Sequence, residues 1–234
     1  MQQLLKDLFV KYNIEFTDEQ LSKLEQFYNM VIETNKMFNL TAITEKQEFA
    51  IKHILDSVLP IFYLPQNASV IDIGAGAGFP SIPLKILRPD IKITMLDSLN
   101  KRVNFLNEVI EKLNLTNAKA VHARAEDYAI SNREQFDVAI ARAVANLTTL
   151  AEYCLPFVKI GGRFIALKGS NLSDELKDAE YAINILGGKT DQIQKVFISE
   201  IDAERNNLIV DKIKLTPNKY PRGKNLPRIK PICE

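Results

Sequence analysis

A glycine-rich segment preceded by an acid is the part of the sequence whose residue types most clearly suggest chemistry. Residues 70–80 read VIDIGAGAGFP, in which Asp72 is followed by Gly74, Gly76 and Gly78. An apolar strand, glycines and then a helix allow a nucleotide-like ligand to approach the backbone at the carboxyl end of the strand. Dinucleotide sites place a pyrophosphate on a helix N-terminus with the spacing GxGxxG, whereas the spacing here is GxGxG. Asp72 would repel a pyrophosphate but attract the ammonium and sulfonium of S-adenosylmethionine (SAM), so the charge favours SAM.

Acidic residues also follow the next two predicted strands. Asp97 lies 23 residues after Gly74, where a carboxylate can accept hydrogen bonds from both ribose hydroxyls of an adenosine. NAD would use the same acid, and a helix N-cap is the structural alternative. Ala125 and Glu126 follow the third strand, where a backbone amide and an acid can hydrogen-bond the edge of an adenine. These positions indicate an adenine nucleoside without separating SAM from NAD, and a glycine-rich turn without a ligand remains an alternative.

Short apolar runs that alternate with helical segments predict the elements that position these residues. Buried parallel strands are predicted at residues 68–73, 91–96, 118–122, 136–141 and 162–168. Helices are predicted at residues 79–87, 99–113, 146–158 and 172–186, and a final pair of strands, forming a hairpin, at 191–200 and 205–215. Strands and helices in this order predict an α/β fold with a doubly wound, mostly parallel, Rossmann-like sheet.

The segment before the first strand has the signals of helices. Thr17 with Gln20, and Thr44 with Gln47, each have the spacing of a capping box. Apolar residues then recur at three- and four-residue steps after both sites. Two amphipathic helices are therefore expected to begin at these residues.

Composition places the chain among soluble globular proteins. The 234 residues are 25% charged and 46% hydrophobic, and the length fits one domain or one domain with an extension. The change of pattern after Pro65 predicts a helical extension at 1–65 and a catalytic domain at 66–234. Two cysteines are too few for a disulfide framework or a metal cluster. Neither a signal-peptide core nor an apolar run long enough for a membrane span is visible, so a cytoplasmic location with no membrane contact is expected.

Positive charge is concentrated near the C-terminus, although the whole chain carries a net charge of only +1. Seven basic residues and no acid lie in residues 212–230, namely Lys212, Lys214, Lys219, Arg222, Lys224, Arg228 and Lys230. A tail of this charge suits a polyanion such as RNA. A solvated basic terminus with no partner is the alternative.

Five segments together resemble a known family. They are HILDS at 53–57, DIGAGAGFPSIPL at 72–84, LDSLNKR at 96–102, FDVAIARAVANL at 136–147 and ALKG at 166–169. The chain resembles, over about nine tenths of its length, the bacterial ribosomal RNA small subunit methyltransferase G family, also called glucose-inhibited division protein B. The resemblance implies a class I SAM-dependent methyltransferase that modifies N7 of one guanine in 16S ribosomal RNA. We expect a monomer that acts on 16S ribosomal RNA within the 30S subunit or an assembly intermediate.

The resemblance assigns roles to individual residues. It implies that Gly74 and Phe79 contact SAM, that Ala125 and Glu126 contact its adenine portion, and that Arg142 closes over the cofactor. Arg142 is thereby the best candidate for a catalytic residue, in a positioning rather than an acid-base role. Asn39, Lys168 and Arg205 also fall on family motifs, which implies a place on the active-site face or in contact with RNA. The C-terminal sequence departs from the family pattern, so the resemblance says least about the tail.

Residue types that other methylations require are missing from the expected positions. Methylation of an exocyclic amine commonly uses an Asn-Pro-Pro-aromatic loop after the fourth strand, where this chain has ARAVAN. Carbon methylation of a pyrimidine needs a thiolate nucleophile, but Cys154 lies in the following helix and Cys233 is almost terminal. Guanine N7 offers an in-plane lone pair and no proton to remove, so alignment could supply most of the catalysis.

The sequence is also compatible with two other functions, and one residue pair resembles a metal site. A nicotinamide-dependent oxidoreductase would also use the nucleoside-binding residues, and a non-catalytic RNA-binding module could retain a nucleoside pocket. His53 and Asp56 are one helical turn apart, where a hydrogen-bonded tertiary contact or a helix cap is favoured over a pair of metal ligands. Two histidines cannot build a zinc site, so no metal is expected.

Overall fold

The computed structural model describes residues 1–142 and 145–233, so Ala143 and Val144 of the predicted loop after the fourth strand lie outside the described residues. A seven-stranded sheet forms the centre of the protein. Its strands are β1 (Ser69–Ile73), β2 (Lys92–Asp97), β3 (Ala118–His122), β4 (Phe136–Arg142), β5 (Val158–Lys168), β6 (Gly188–Ile198) and β7 (Ala203–Lys212). Their order is β3-β2-β1-β4-β5-β7-β6. Strands β1 to β5 are parallel, and β7 runs antiparallel to both β5 and β6. The predicted doubly wound, mostly parallel sheet with a final hairpin is confirmed.

Helices cover both faces of the sheet and form the N-terminal extension. The α-helices are α1 (Gln2–Lys11), α2 (Asp18–Asn35), α3 (Lys46–Phe49), α4 (Asp56–Val58), α5 (Ser81–Leu87), α6 (Asn100–Lys112), α7 (Ala125–Tyr128), α8 (Leu147–Cys154), α9 (Leu172–Ile185) and α10 (Leu226–Ile229). A π-helical segment, Ala50–Leu55, joins α3 to α4, and 3₁₀ turns cover Leu59–Tyr63, Leu155–Phe157 and Ser199–Ile201. The four helices predicted between the strands are all present.

Strand β5 begins four residues earlier than its apolar pattern predicts. Phe136 of β4 pairs with Val158, but Val138 pairs with Arg163, so a bulge takes up residues 159–162. Gly161 has φ +82° within this bulge, a conformation that a glycine adopts without strain. The polar and glycine-rich bulge explains why the apolar run alone missed the start of the strand.

One of the two predicted capping boxes is present. The Thr17 hydroxyl accepts a hydrogen bond from the Gln20 amide, and the Gln20 side chain accepts one from the Thr17 amide. The second prediction, a box at Thr44, is wrong, because the N-cap of α3 is Glu45, whose carboxylate accepts from the Glu48 amide at 2.8 Å. A carboxylate at a helix N-terminus also gains from the helix dipole, and the sequence spacing alone does not weigh that gain.

The N-terminal extension packs against the segment that follows β1. Phe79, just after the glycines, has its ring centroid 5.3 Å from that of Phe27 in α2 and 5.5 Å from that of Phe49 in α3. Apolar side chains of the extension and of β1 and β2 belong to one continuous buried cluster. The extension therefore supports the loop in which the sequence predicts ligand binding.

Candidate active site

The carboxyl edge of β1 to β3 opens onto a cleft of about 310 Å³ beside the glycines. We call it the glycine-loop cleft, and its lining includes Gly74, Asp97, Ala125 and Glu126. All four were predicted from the sequence to contact a nucleoside. Its other lining residues are Ile73, Leu96, Ser98, Arg102, Ala123, Arg124, Tyr153, Asn225 and Arg228.

The glycine loop turns sharply because its glycines take up positive φ angles. Gly74, Gly76 and Gly78 have φ values of +76°, +60° and +96°. Glycine adopts such positive φ angles without strain, whereas most residues that carry a Cβ do not. The Gly74 amide donates to the Leu96 carbonyl at 2.8 Å, and the Gly76 amide donates to Asp97 Oδ2 at 2.9 Å. These bonds fix the loop to the end of β2, and Gly74 lines the cleft.

Asp72 is a fully buried carboxylic acid at the end of β1. Ser81 Oγ donates a hydrogen bond to its Oδ2, while Oδ1 has no hydrogen-bond partner among the described residues. Burial raises the pKa of Asp72 to about 7. A buried carboxylate oxygen without a partner is costly, and a ligand cation or N–H group would offset that cost.

Asp97 and Glu126 place two more carboxylates in the glycine-loop cleft. Asp97 Oδ1 accepts from the Leu99 amide at 2.9 Å, so it supports the turn into α6 without being the N-cap residue of that helix. Glu126 is 7% exposed, and its Oε1 lies 3.6 Å from Arg124 Nε but accepts no hydrogen bond among the described residues. Both acids could therefore receive donors from a nucleoside, as the sequence predicts.

Phe79 lies beside this cleft, with its side chain directed elsewhere. Its ring stacks on His53 with 4.4 Å between centroids and is 6% exposed. The ring is not part of the cleft lining. The contact with SAM that the resemblance implies for Phe79 stays a prediction.

A second cleft, of about 380 Å³, lies at the carboxyl ends of β4 and β5. We call it the arginine cleft, and it brings together Arg142, Lys168 and Arg205 from three different strands. Its other lining residues are Ile43, Lys52, His53, Asp56, Leu167 and Gly169. Asn39 is exposed and is not among these lining residues, so the structure does not bring it into the cluster.

Asp56 holds the two arginines of this cleft at once. Its Oδ2 accepts from Arg142 Nη1 at 2.9 Å, and its Oδ1 lies 3.0 Å from Arg205 Nε. Glu126 takes no part in this pairing, since its nearest cation is Arg124 in the other cleft. No functional role was predicted for Asp56 from the sequence. Its place in HILDS, one of the segments that resemble the family, was the feature that could have indicated one.

His53 completes the hydrogen bonding of Arg142. Arg142 Nη2 lies 3.1 Å from His53 Nδ1, and Thr41 Oγ1 lies 2.7 Å from His53 Nε2. An arginine can only donate, so Nδ1 accepts and Nε2 carries the proton that is donated to Thr41. Burial lowers the pKa of His53 to about 3, so the ring is neutral, and the expected tertiary contact is confirmed.

Lys168 is held against its own side of the arginine cleft. Its Nζ donates to the Ala145 carbonyl at 3.0 Å and to Glu175 Oε2 at 2.7 Å. Its side chain is 10% exposed, compared with 21% for Arg205. The lining holds four cations, Lys52 included, and one carboxylate, Asp56. Glu175 offsets one of these cations, Lys168, so the cleft keeps an excess of positive charge, which suits a phosphate or a guanine edge rich in acceptors.

The basic tail does not behave as one solvated segment. The ammonium of Lys212 is buried, donates to the Leu155 carbonyl at 2.8 Å and lies 3.4 Å from Glu134 Oε1. Burial lowers the pKa of Lys212 to about 8. Arg222 makes a bidentate pair with the buried Glu152. Counting both residues as part of a solvated basic tail is therefore wrong, since a charge count does not register burial.

Residues 1–142 and 145–233 contain neither a candidate metal centre nor a helix that could span a membrane. Over these ranges, the structure brings together no group of three or more His, Cys, Asp or Glu side chains that could bind a metal ion. Over the same ranges, none of the helices has the length and apolar character needed to cross a bilayer.

Comparison with known proteins decides the family. The sequence model described as rRNA small subunit methyltransferase G matches residues 20–206. The chain belongs to this family. The ribosomal RNA small subunit methyltransferase G of Desulforamulus reducens is 49% identical over 233 residues, which cover 98% of this chain and 97% of that protein. The protein of the same name from Brevibacillus brevis is 47% identical over 230 residues, 97% of each chain.

Solved structures outside the family share the fold at low sequence identity. The M. jannaschii TYW2 structure in complex with AdoMet has a TM-score of 0.54 and 17% identity, and covers 74% of this chain and 80% of that chain. A precorrin-6y C5,15-methyltransferase from Geobacter metallireducens has the same TM-score and identity, and covers 76% and 95%. The predicted class I methyltransferase fold is thereby confirmed for this member of the rRNA small subunit methyltransferase G family.

Proposed function

We propose that this chain transfers the methyl group of SAM to N7 of a guanine in 16S ribosomal RNA. Its relatives of the same family are named ribosomal RNA small subunit methyltransferases. The observation that carries the proposal is the buried Asp72, which keeps one oxygen unpartnered and directly precedes Ile73 and Gly74 in the lining of a nucleoside-sized cleft. We further propose that residues 1–65 extend a catalytic domain at 66–234 and that the protein acts as a cytoplasmic monomer on the 30S subunit or an assembly intermediate.

The glycine-loop cleft fits SAM by the chemistry of its acids. Asp72 would attract the cationic methionine portion, Asp97 would accept from the ribose hydroxyls, and Glu126 would accept from the adenine amine. Gly74, Gly76 and Ala125 would let the cofactor approach the backbone. When bound, SAM supplies an electrophilic methyl group. The same carboxylate disfavours a dinucleotide, because its charge would repel the pyrophosphate.

The arginine cleft supplies the positioning part of the proposed reaction. Arg142, with Lys168 and Arg205, would hold the guanine and its phosphates so that N7 faces the methyl group. N7 has a lone pair and no proton, so no general base is needed. Cys154 is fully buried, and burial raises the pKa of its thiol well above the ordinary value, which argues against a thiolate mechanism at carbon.

Incubation with methyl-labelled SAM and 30S subunits lacking the modification tests the function directly. We expect a single labelled 7-methylguanine in 16S RNA, mapped by cleavage at that base. NADH binding in place of SAM would favour an oxidoreductase. RNA binding without transfer would favour the non-catalytic module.

The pKa of Asp72 makes SAM affinity depend on pH. At pH values below about 7 the acid must lose a proton before it can bind a cation, so each pH unit lower weakens binding by up to about tenfold. Affinity measured by calorimetry is therefore expected to rise between pH 5.5 and about 7 and then level off. Asp72→Asn should bind SAM weakly and remove this dependence. An unchanged pH profile in Asp72→Asn would show that another group titrates.

Salt dependence tests which tail residues contact RNA. Lys219 and Lys224 are exposed, whereas Lys212 and Arg222 are bound internally. Changing both exposed lysines to Gln should weaken 30S binding and reduce the slope of log affinity against log salt by about 1.5. Changing Lys92 and Lys119, two exposed lysines of β2 and β3, to Gln is the matched control. If the tail variant and the control variant showed the same slope of log affinity against log salt, the two tail lysines would not contact RNA. RNA would then bind at the arginine cleft alone.

A further inference from the structure

The C-terminal segment, residues 216–233, lies against helix α8 instead of extending into solvent. Tyr220 and Ile232 are each 7% exposed and belong to the buried cluster that includes Leu150 and Cys154 of α8. Pro227, in α10, is also buried. These three side chains therefore fix the segment to the core on this side of the sheet, while most of its other residues are exposed.

Three side chains on one face of α8 hold this segment in place. Thr149 Oγ1 donates to the Pro227 carbonyl at 2.8 Å in a buried position. Glu152 accepts from Arg222 at 2.9 Å from Nε and 2.7 Å from Nη2. Tyr153 donates its hydroxyl to Asn225 Oδ1 at 3.4 Å. The spacing of Thr149, Glu152 and Tyr153 is that of neighbours on a single helix face.

This anchoring brings two residues of the segment into the glycine-loop cleft. Asn225 and Arg228 line it together with Asp97 and Glu126. Asn225 has φ +59°, a left-handed conformation that asparagine tolerates better than most residues. The basic C-terminal segment therefore forms part of the cleft lining, together with residues at the carboxyl ends of the strands.

We propose that Asn225 and Arg228, with Tyr153 behind Asn225, form a wall of the binding site for the adenosine part of SAM. An asparagine amide offers both a donor and an acceptor to the polar edge of an adenine or to a ribose hydroxyl. A guanidinium can also stack on an aromatic ring, and adenine presents such a ring. The proposal rests on the proposed function, since it deepens the assignment of the same cleft to SAM.

Calorimetry with two ligands tests this wall. The double variant Asn225→Gly, Arg228→Gln should bind SAM about fivefold to tenfold more weakly than the parent. Its affinity for 5′-methylthioadenosine, which lacks the amino-acid portion of SAM, should fall by the same factor. Methyl transfer at limiting SAM should fall by the same factor as the SAM affinity, because both side chains are placed in the cofactor site. The glycine substitution suits the positive φ at this position and keeps the backbone unstrained.

Lys224→Gly is the matched control for the first substitution. Lys224 is the exposed neighbour of Asn225, also has a positive φ of +57°, and is absent from the cleft lining. It should bind both ligands as the parent does. Parent-like affinity of the double variant would overturn the proposed wall, and so would a loss confined to SAM. A parent protein that binds no SAM would instead contradict the proposed function.

Discussion

Replacing Arg142 with Ala is expected to lower methyl transfer to 30S subunits by about 100-fold or more, while SAM affinity changes far less. The guanidinium lines the arginine cleft, not the glycine-loop cleft, and it is fixed there by Asp56, His53 and the Lys52 carbonyl. Its removal takes away a positioned donor at the place proposed for the guanine. Single-turnover rates with saturating SAM measure the loss.

Stability measurements separate this role from a structural one. Asp56 keeps Arg205 as a partner when Arg142 is removed, so the thermal midpoint should fall by only about 5 °C. Arg163→Ala is the matched control, because Arg163 makes one ion pair, with Asp211, far from the carboxyl edge of the sheet. Near-normal transfer in Arg142→Ala, or an equal loss in Arg163→Ala, would assign Arg142 to structure alone.

The main elements of the fold could be predicted because they depend on local patterns. Near-continuous apolar runs marked β1 to β4 within two residues of their ends, and the Thr17 capping box marked the start of α2. Residues at the carboxyl ends of parallel strands meet at one edge of the sheet. The sequence alone could therefore predict that Gly74, Asp97 and Glu126 share one cleft.

Contacts between distant segments explain what the sequence could not provide. Arg205 reaches Asp56 only because β7 pairs antiparallel with β5, which sets Asn206 opposite Lys168. Lys212 is buried because Glu134 and the carbonyl of Leu155 come to it from elsewhere in the chain. Neither contact produces a repeating pattern in the sequence. The charge count therefore grouped Lys212 with a solvated tail, and motif spacing did not pair Asp56 with Arg205.

Gly74→Val is expected to lower SAM affinity by at least about 100-fold, because it combines a filled site with a constrained backbone. Gly74 lines the glycine-loop cleft at the end of β1, so a branched side chain there occupies space that the proposed cofactor needs. Its φ of +76° disfavours a β-branched residue, and any relief of that strain moves the loop and its bond to the Leu96 carbonyl. Calorimetric titration with SAM measures the effect.

Gly161→Val isolates the part of this effect that comes from backbone strain. Gly161 has a similar φ of +82°, and a Cβ added there would meet no atom within 4 Å, in the bulge of β5 that lines neither cleft. The two variants should therefore lose a similar amount of thermal stability, while only Gly74→Val loses SAM binding. If both variants bound SAM like the parent, the glycine loop would be a structural turn and the cofactor would have to bind elsewhere. If both lost it, strain transmitted through the sheet would be the cause, because Gly161 is too far from the cleft to obstruct a ligand.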